Sequence, residues 1–101
     1  MKTVRFHPEA SEELEAVVTY YEEKRPGLGA LFLADVKKAR DRIVELPAAA
    51  REVRTSIRRR SIHRFPYFLY YAIDEGEIFI IAIAHKRRRP EYWKKRLRSS
   101  S

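Results

Sequence analysis

IFIIAIAHKRRRPEYW, residues Ile78–Trp93, is the stretch of sequence from which the fold can be argued. Its first seven residues are all apolar, a pattern typical of a strand that is buried on both faces. A histidine, four consecutive cations and two aromatic residues stand close behind them. We therefore expect a central strand that ends at a charged surface, and this surface is the first candidate for a functional site.

Three further strands are predicted around this one. YFLYYAI, Tyr67–Ile73, precedes it, and the tight turn DEGE, in which Gly76 can take a positive φ, joins the two as a β-hairpin. KTVRF near the N-terminus alternates apolar and cationic residues, which predicts a short first strand. SIRRRSIHRF, Ser56–Phe65, carries arginines on both faces, and that suits an exposed sheet edge.

Two amphipathic helices are predicted between the first and second strands. Pro8 suits the first turn of the first helix, and Pro47 ends the second. Apolar residues recur at helical spacing in both. They are Ala10, Leu14, Val17, Val18 and Tyr21 in the first helix, and Leu28, Phe32, Val36, Ala39, Ile43 and Leu46 in the second. A short loop connects the helices, so we expect an antiparallel helical hairpin.

The order β-α-α-β-β-β predicts an α+β fold with two layers, in which the helical hairpin packs on one face of a four-stranded, mostly antiparallel sheet. A short C-terminal helix or arm should follow the last strand. We predict a single domain over residues 1–98 and a disordered tail over residues 99–101.

The helices can cover only one face of this sheet, yet both strands of the hairpin are apolar on both faces. Phe68 and Tyr70 point to one face of the sheet, and Leu69 and the residues at every second position from it point to the other. One of these two sets of side chains is therefore left uncovered. An exposed apolar face of this kind usually marks an interface. The alternative is that the C-terminal arm folds back over it with Tyr92 and Trp93.

The net charge of +8 is divided unevenly along the chain. Residues 1–50 hold 8 Lys/Arg and 9 Asp/Glu, whereas residues 51–101 hold 14 Lys/Arg and 5 Asp/Glu. This division indicates that the second half meets a polyanion or an acidic partner.

Composition also excludes several classes of site. With no cysteine, the chain has no disulfide, no thiolate zinc site and no cysteine nucleophile. No apolar run approaches the roughly 18–20 residues that a membrane span needs, so we expect no membrane contact. The N-terminus MKTVRFHPEA lacks the apolar stretch of a secretory signal, which predicts a cytoplasmic protein.

A cluster of cations is the strongest candidate for a binding surface. Arginine offers planar, bidentate donors for phosphates and carboxylates, and neighbouring aromatic rings can stack on bases. If the arginine-rich strand and the exit of the last strand line a common rim, the target-binding residues are Arg58, Arg60, Arg64, Arg87, Arg88, Arg89, Tyr92 and Trp93.

The remaining titratable residues are weaker candidates. His85 at the end of the last strand has the chemistry of a general acid or base, but a structural role is the alternative. The three histidines are too dispersed for metal-ligand spacing, so we expect no metal and no cofactor. The glutamates of the first helix are expected on an exposed face, with no apolar pocket to raise a pKa.

Taken together, HRFPYFLYYAI, the turn DEGE and IFIIAIAHKRRRPEYW resemble the C-terminal half of toxins of the RelE/ParE superfamily of type II toxin–antitoxin systems. VRFHPEASEELEAVVTYYEEKRPGLGALFLADV resembles the first strand and helical hairpin of the ParE-like, plasmid-stabilisation branch. The resemblance implies a growth-inhibiting toxin that a small, acidic, ParD-like antitoxin neutralises by covering its apolar surface, with Phe68 and Tyr70 as expected contacts.

The superfamily implies two different activities, because the RelE branch cleaves mRNA on the ribosome and the ParE branch poisons DNA gyrase. In the cleaving branch an arginine follows the tyrosine of the third-strand motif, but here Phe68 follows Tyr67. The catalytic tyrosine falls at Trp93, or at Tyr92 with a shift of one residue, and an indole has no ionisable hydroxyl.

We therefore favour a toxin that binds gyrase without being a nuclease. Arg87 matches the phosphate-stabilising arginine of the cleaving branch, so a ribosome-dependent mRNA nuclease is the alternative, with His85, Arg87 and Tyr92 as its catalytic residues. An inactive remnant that only binds nucleic acid is a third reading.

Overall fold

The computed structural model describes residues 2–100, with side chains over residues 2–97. Its elements are β1 (Thr3–Phe6), α1 (Pro8–Lys24), α2 (Leu28–Glu45), β2 (Glu52–Arg54), β3 (Ile57–Ser61), β4 (Tyr67–Asp74), β5 (Glu77–His85) and a C-terminal 3₁₀ helix (Tyr92–Ser100). The strands form one sheet in the order β1-β5-β4-β3-β2, in which β1 runs parallel to β5 and the other neighbours are antiparallel. The predicted α+β fold with a helical hairpin on the sheet is confirmed.

The sheet has five strands rather than the predicted four. The missed strand, β2, has only three residues, of which one is apolar, so no alternation could reveal it. Because β2 pairs with β3, the arginine-rich strand is not an edge strand as predicted. Strand β5 lies between β1 and β4 and is buried along almost its whole length, as expected of an interior strand.

Specific hydrogen bonds cap the start of α1 and hold the loop between α1 and α2. The imidazole Nδ1 of His7 accepts a hydrogen bond from the Glu9 N–H and caps α1. The Glu22 carboxylate accepts hydrogen bonds from the N–H groups of Gly27, which caps α2, and of Gly29 in its first turn. A Cβ at Gly29 would lie 2.5 Å from the Val18 carbonyl oxygen, so only glycine allows the two helices to approach this closely.

The first apolar cluster lies between the hairpin and the sheet. Residues of α1 and α2 pack there on the inward side of β4 and β5, including the fully buried Phe32, Ile43, Leu69, Tyr71 and Ile80. The Tyr71 hydroxyl donates a hydrogen bond of 2.6 Å to the Pro47 carbonyl and ties the end of α2 to the sheet. Leu46 was predicted in this core but is 54% exposed, because α2 ends at Glu45.

The second face of the sheet is also covered, and the covering element is the C-terminal 3₁₀ helix. Trp93 is 1% exposed and packs on Tyr70 with 5.1 Å between the ring centroids. Together with Leu97 it closes a second apolar cluster over Phe79 and Ile81. The expectation of an uncovered apolar face is therefore wrong, and the alternative of a folded-back arm is correct.

Two further predictions concern the ends and the surroundings of the chain. The 3₁₀ helix continues to Ser100, Ser101 lies outside the described residues, and disorder of the tail stays a prediction. In the described part of the chain, no helix has the length and apolar character needed to cross a membrane.

We predict that Gly29→Ala lowers the free energy of unfolding by about 1–3 kcal/mol, because the added methyl group must push against the backbone of Val18. Helix propensity alone predicts the opposite sign, a gain of about 0.5–1 kcal/mol. Urea unfolding of the variant shows whether the substitution lowers or raises the free energy of unfolding. A stabilised variant would contradict the close helix–helix approach.

Candidate functional site: the C-terminal latch and the cationic surface

Strand β5 contains a β-bulge, and side chains form hydrogen bonds with its backbone near the bulge. Tyr70 faces Ala82 and Tyr71 faces Ile80, so Ile81 is the extra residue. The pairing with β1 ends at Ile80, which leaves the last part of β5 without a strand on that side. Polar backbone groups there need other partners, since a buried backbone group without a hydrogen bond is costly.

Glu13 and Arg96 supply those partners. The Glu13 carboxylate accepts a 3.0 Å hydrogen bond from the Ile83 N–H, and the Arg96 guanidinium donates one of 3.0 Å to the Ile81 carbonyl. Arg96 also donates to both oxygens of Glu13, at 2.9 and 2.8 Å, and the Tyr92 hydroxyl donates at 2.6 Å. We call the three side chains Glu13, Tyr92 and Arg96 the C-terminal latch, because they fasten the 3₁₀ helix to α1 and β5.

The latch sets the protonation of its members. Burial raises the pKa of Glu13, but hydrogen bonds from Arg96, Tyr92 and the Ile83 N–H outweigh that effect and hold it below its usual value. Burial first, and then the hydrogen bond to Glu13, raises the pKa of Tyr92. At neutral pH the latch therefore pairs a carboxylate with a guanidinium and a neutral phenol.

Two cations of β3, Arg58 and Arg60, lie on the helix side of the sheet, as does Arg64 of the following loop. Arg58 and Arg60 stand opposite Tyr71 and Leu69, whose side chains face the helices. Arg58 donates to the carbonyls of Ala48 and Ala50, at 3.2 and 2.7 Å, and so holds the loop after α2.

Arg64 makes a bidentate pair with the buried carboxylate of Asp35 on α2, at 3.0 and 3.1 Å. Hydrogen bonding to Arg64 holds the pKa of Asp35 below its usual value. Of the three predicted target-binding residues on this side, Arg58 and Arg64 thus have structural partners, and the third, Arg60, points to the same helix side.

The cations after β5 lie beside the C-terminal helix instead. Arg88 stacks on the Tyr92 ring at 3.9 Å, and Arg87 and Arg89 are exposed. A groove of about 450 Å³ lies next to them. Its lining residues are Arg54, Arg89, Glu91, Tyr92, Lys94, Lys95 and Leu97. We call Arg87, Arg88, Arg89, Lys94 and Lys95 the cationic surface. The predicted common rim is therefore wrong, because Arg58 and Arg60 face the helices.

The chain matches the model of the ParE toxin of the type II toxin–antitoxin system parDE over residues 4–90. It belongs to this toxin family. Eleven chains of solved structures match the fold. One, from the chromosomal ParDE system of P. aeruginosa, superposes with a TM-score of 0.74 at 18% identity and covers 84% of this chain and 96% of its own. Another, the isolated RelE toxin of E. coli, has a TM-score of 0.65 at 17% identity and covers 98% of this chain and 99% of its own.

No curated protein matches this ParE-family chain in sequence. The family match ends at Pro90, before the C-terminal helix, so the latch residues Tyr92 and Arg96 lie beyond it. Membership in this family of toxins implies an antitoxin partner.

The two residues predicted to contact an antitoxin differ in accessibility. Phe68 is half-buried, with the Arg59 guanidinium at 4.0 Å and the Lys86 ammonium at 5.1 Å from the centre of its ring. Tyr70 is 8% exposed because Trp93 covers it. An antitoxin contact at either residue stays a prediction.

Of the predicted nuclease residues, His85 and Tyr92 are engaged in structural contacts, whereas the side chain of Arg87 is exposed. Nδ1 of His85 accepts a hydrogen bond from the Arg87 N–H, and its ring lies edge-on to Tyr67 at 5.1 Å. The Tyr92 hydroxyl is bound to Glu13, and Arg88 lies over its ring. Trp93 is in the core, so the ring surfaces predicted for base stacking are largely occupied.

Sequence reasoning missed Glu13, Arg96, Asp35, Arg54, Lys94 and Lys95. The expectation of an exposed Glu13 is wrong, although a signal was present. Glu13 lies three residues after Ala10 and four before Val17, at the border of the apolar face of α1. Among the described residues, no group of three His, Cys, Asp or Glu side chains is placed to hold a metal ion.

We predict that Glu13→Gln lowers the free energy of unfolding by about 2–3 kcal/mol at neutral pH, because hydrogen bonds to a charged partner are lost. The pKa of Glu13 is lowered in the folded state. Its contribution is therefore present above the unfolded pKa of about 4.3 and is lost as the pH falls through the folded value. The difference in the free energy of unfolding between the wild type and the variant, measured by urea unfolding, should therefore become smaller at acid pH.

Glu12→Gln is the matched control for this prediction, because Glu12 is the exposed neighbour on the same helix. It should change the stability by less than about 0.5 kcal/mol. Equal effects of the two substitutions would contradict the assigned role of Glu13.

We predict that Trp93→Ala costs about 3–5 kcal/mol of stability, since it leaves a cavity over the second face. Trp93→Phe should cost less than Trp93→Ala, because the phenyl ring still fills part of the space. The indole N–H of Trp93 has no acceptor among the described residues, so its removal loses no hydrogen bond. Thermal unfolding of both variants tests this. A loss from Trp93→Phe as large as the loss from Trp93→Ala would contradict this account.

Proposed function

We propose that this ParE-family toxin inhibits growth by binding and poisoning DNA gyrase, and that it does so without cleaving RNA. We propose a cytoplasmic location and neutralisation by a cognate acidic antitoxin. The observation that carries the proposal is the engagement of Tyr92, whose hydroxyl donates to Glu13 while Arg88 lies over its ring.

Cleavage of RNA requires a base to activate a 2′-hydroxyl and donors to stabilise charge at the phosphate. The raised pKa of Tyr92 disfavours the phenolate that a tyrosine base needs. Phe68 stands where the cleaving branch has an arginine, and removing one such donor costs on the order of 3 kcal/mol of transition-state stabilisation. Both features favour an activity that works by binding.

The cationic surface supports binding to a large anionic partner. Arg87 and Arg89 are exposed, and in the part of the chain with described side chains neither makes a salt bridge. Lys94 and Lys95 extend the same surface along the groove. Complementary charge of this kind accelerates association and selects partners. We assign this surface to the target.

Two assays on induced cells test the proposal. The first asks whether linear DNA accumulates from gyrase-trapped breaks, and the second asks whether transcripts are cut within codons. Linear DNA with intact transcripts is the expected result. Cut transcripts without trapped DNA would establish the mRNA nuclease, and the absence of any toxicity would indicate an inactive chain.

We predict that the double substitution Arg87→Ala and Arg89→Ala abolishes toxicity and trapping of gyrase by the purified protein. Both residues are exposed, so thermal stability should change by less than about 0.5 kcal/mol. The matched control is Arg25→Ala with Lys37→Ala, which removes the same charge from exposed positions of the helical hairpin. Retained toxicity in the first variant, or equal loss in the control, would contradict the assigned surface.

A further inference from the structure

A notch on the helix side of the sheet gathers cations that the proposed function does not use. It has a volume of about 130 Å³ and lies between α2, β3 and the loop that follows β3. Its lining residues are Asp35, Lys38, Ala39, Arg42, Arg60, Ser61 and His63. The residues from α2 are spaced by three and four, so one helical face forms a wall of the notch.

The charges around the notch are poorly balanced. Among the lining residues with described side chains, Asp35 is the only carboxylate, and both of its oxygens are bound by Arg64. Arg42 has Glu45 as a partner, at 3.9 Å and with both side chains exposed, a contact of little energetic value. Lys38 and Arg60 add positive charge to the same side. Like charges brought together in this way repel one another unless an anion joins them.

Arg60 supplies a second, independent observation. Its Nε–H group is buried and has no hydrogen-bond acceptor among the residues whose side chains are described. A buried donor without an acceptor is unusual in folded proteins and calls for a partner. Arg60 also lines the notch, so an anion bound there would lie beside this incompletely bonded guanidinium.

We propose that the notch is a binding site for one phosphate group. The donors around it differ in kind and come from two elements and a loop: guanidinium, ammonium, imidazole and the Ser61 hydroxyl. A carboxylate is planar and is satisfied by one arginine fork, as Asp35 is by Arg64. A tetrahedral phosphate accepts hydrogen bonds from several directions, which matches this arrangement.

Titration calorimetry of the purified chain with inorganic phosphate tests the site, in chloride buffers of matched ionic strength. We expect saturable binding of one phosphate per chain and a rise of the melting temperature with phosphate concentration. Lys38→Gln with Arg42→Gln should weaken binding at least about tenfold, since charge-assisted hydrogen bonds are lost. Arg60→Gln should weaken phosphate binding to the same extent if the variant folds. If it does not fold, the exposed α2 residues Lys38 and Arg42 still provide the test.

Arg25→Gln with Lys37→Gln is the control, because it removes the same charge from exposed residues that do not line the notch. Equal weakening in both pairs, or binding that never saturates, would show general screening and overturn the site. Acetate binding as tightly as phosphate would also overturn it. A mononucleotide and a short duplex then distinguish a free phosphate from a phosphodiester. None of these readouts involves gyrase, so the result stands or falls independently of the proposed function.

Discussion

The carboxylate of Glu13 is the contact on which the arrangement of this toxin depends. Strand β5 is apolar on both faces, so it must be covered twice, and its bulge at Ile81 leaves backbone groups that need polar partners. Glu13 reaches from α1 to one of these groups and at the same time binds Arg96 and Tyr92. One side chain therefore connects the helical hairpin, the sheet edge and the C-terminal helix.

This contact also determines where the cations lie. Because the latch holds the 3₁₀ helix against the second face, Trp93 enters the core and Lys94 and Lys95 stay at the surface. The pleat of β3 turns Arg58 and Arg60 to the helix side, where Arg58 holds the loop after α2 and Arg60 lines the notch. The uneven charge of the sequence is thus divided between two surfaces on different sides of the sheet.

Much of the fold could be predicted because it follows from periodicity. The helical spacing in α1 and α2 and the uninterrupted apolar run of β5 each require only local sequence. Strand β2 could not be predicted, since three residues become a strand only by pairing with β3. The latch could not be predicted either, because the burial of Glu13 depends on Arg96, 83 positions later. The same holds for Arg64, whose partner Asp35 lies 29 positions earlier.

The parallel pairing of β1 with β5 has a consequence for biosynthesis. Thr3 is made long before its strand partner Glu77, and the cover of the second face waits for Arg96. At synthesis rates of about 5–20 residues per second, the N-terminal strand spends seconds without its neighbour. Loop closure over such a distance is costly until the hairpin exists. A nascent chain therefore completes its sheet, and with it any toxic surface, only after β5 and the C-terminal helix have been made.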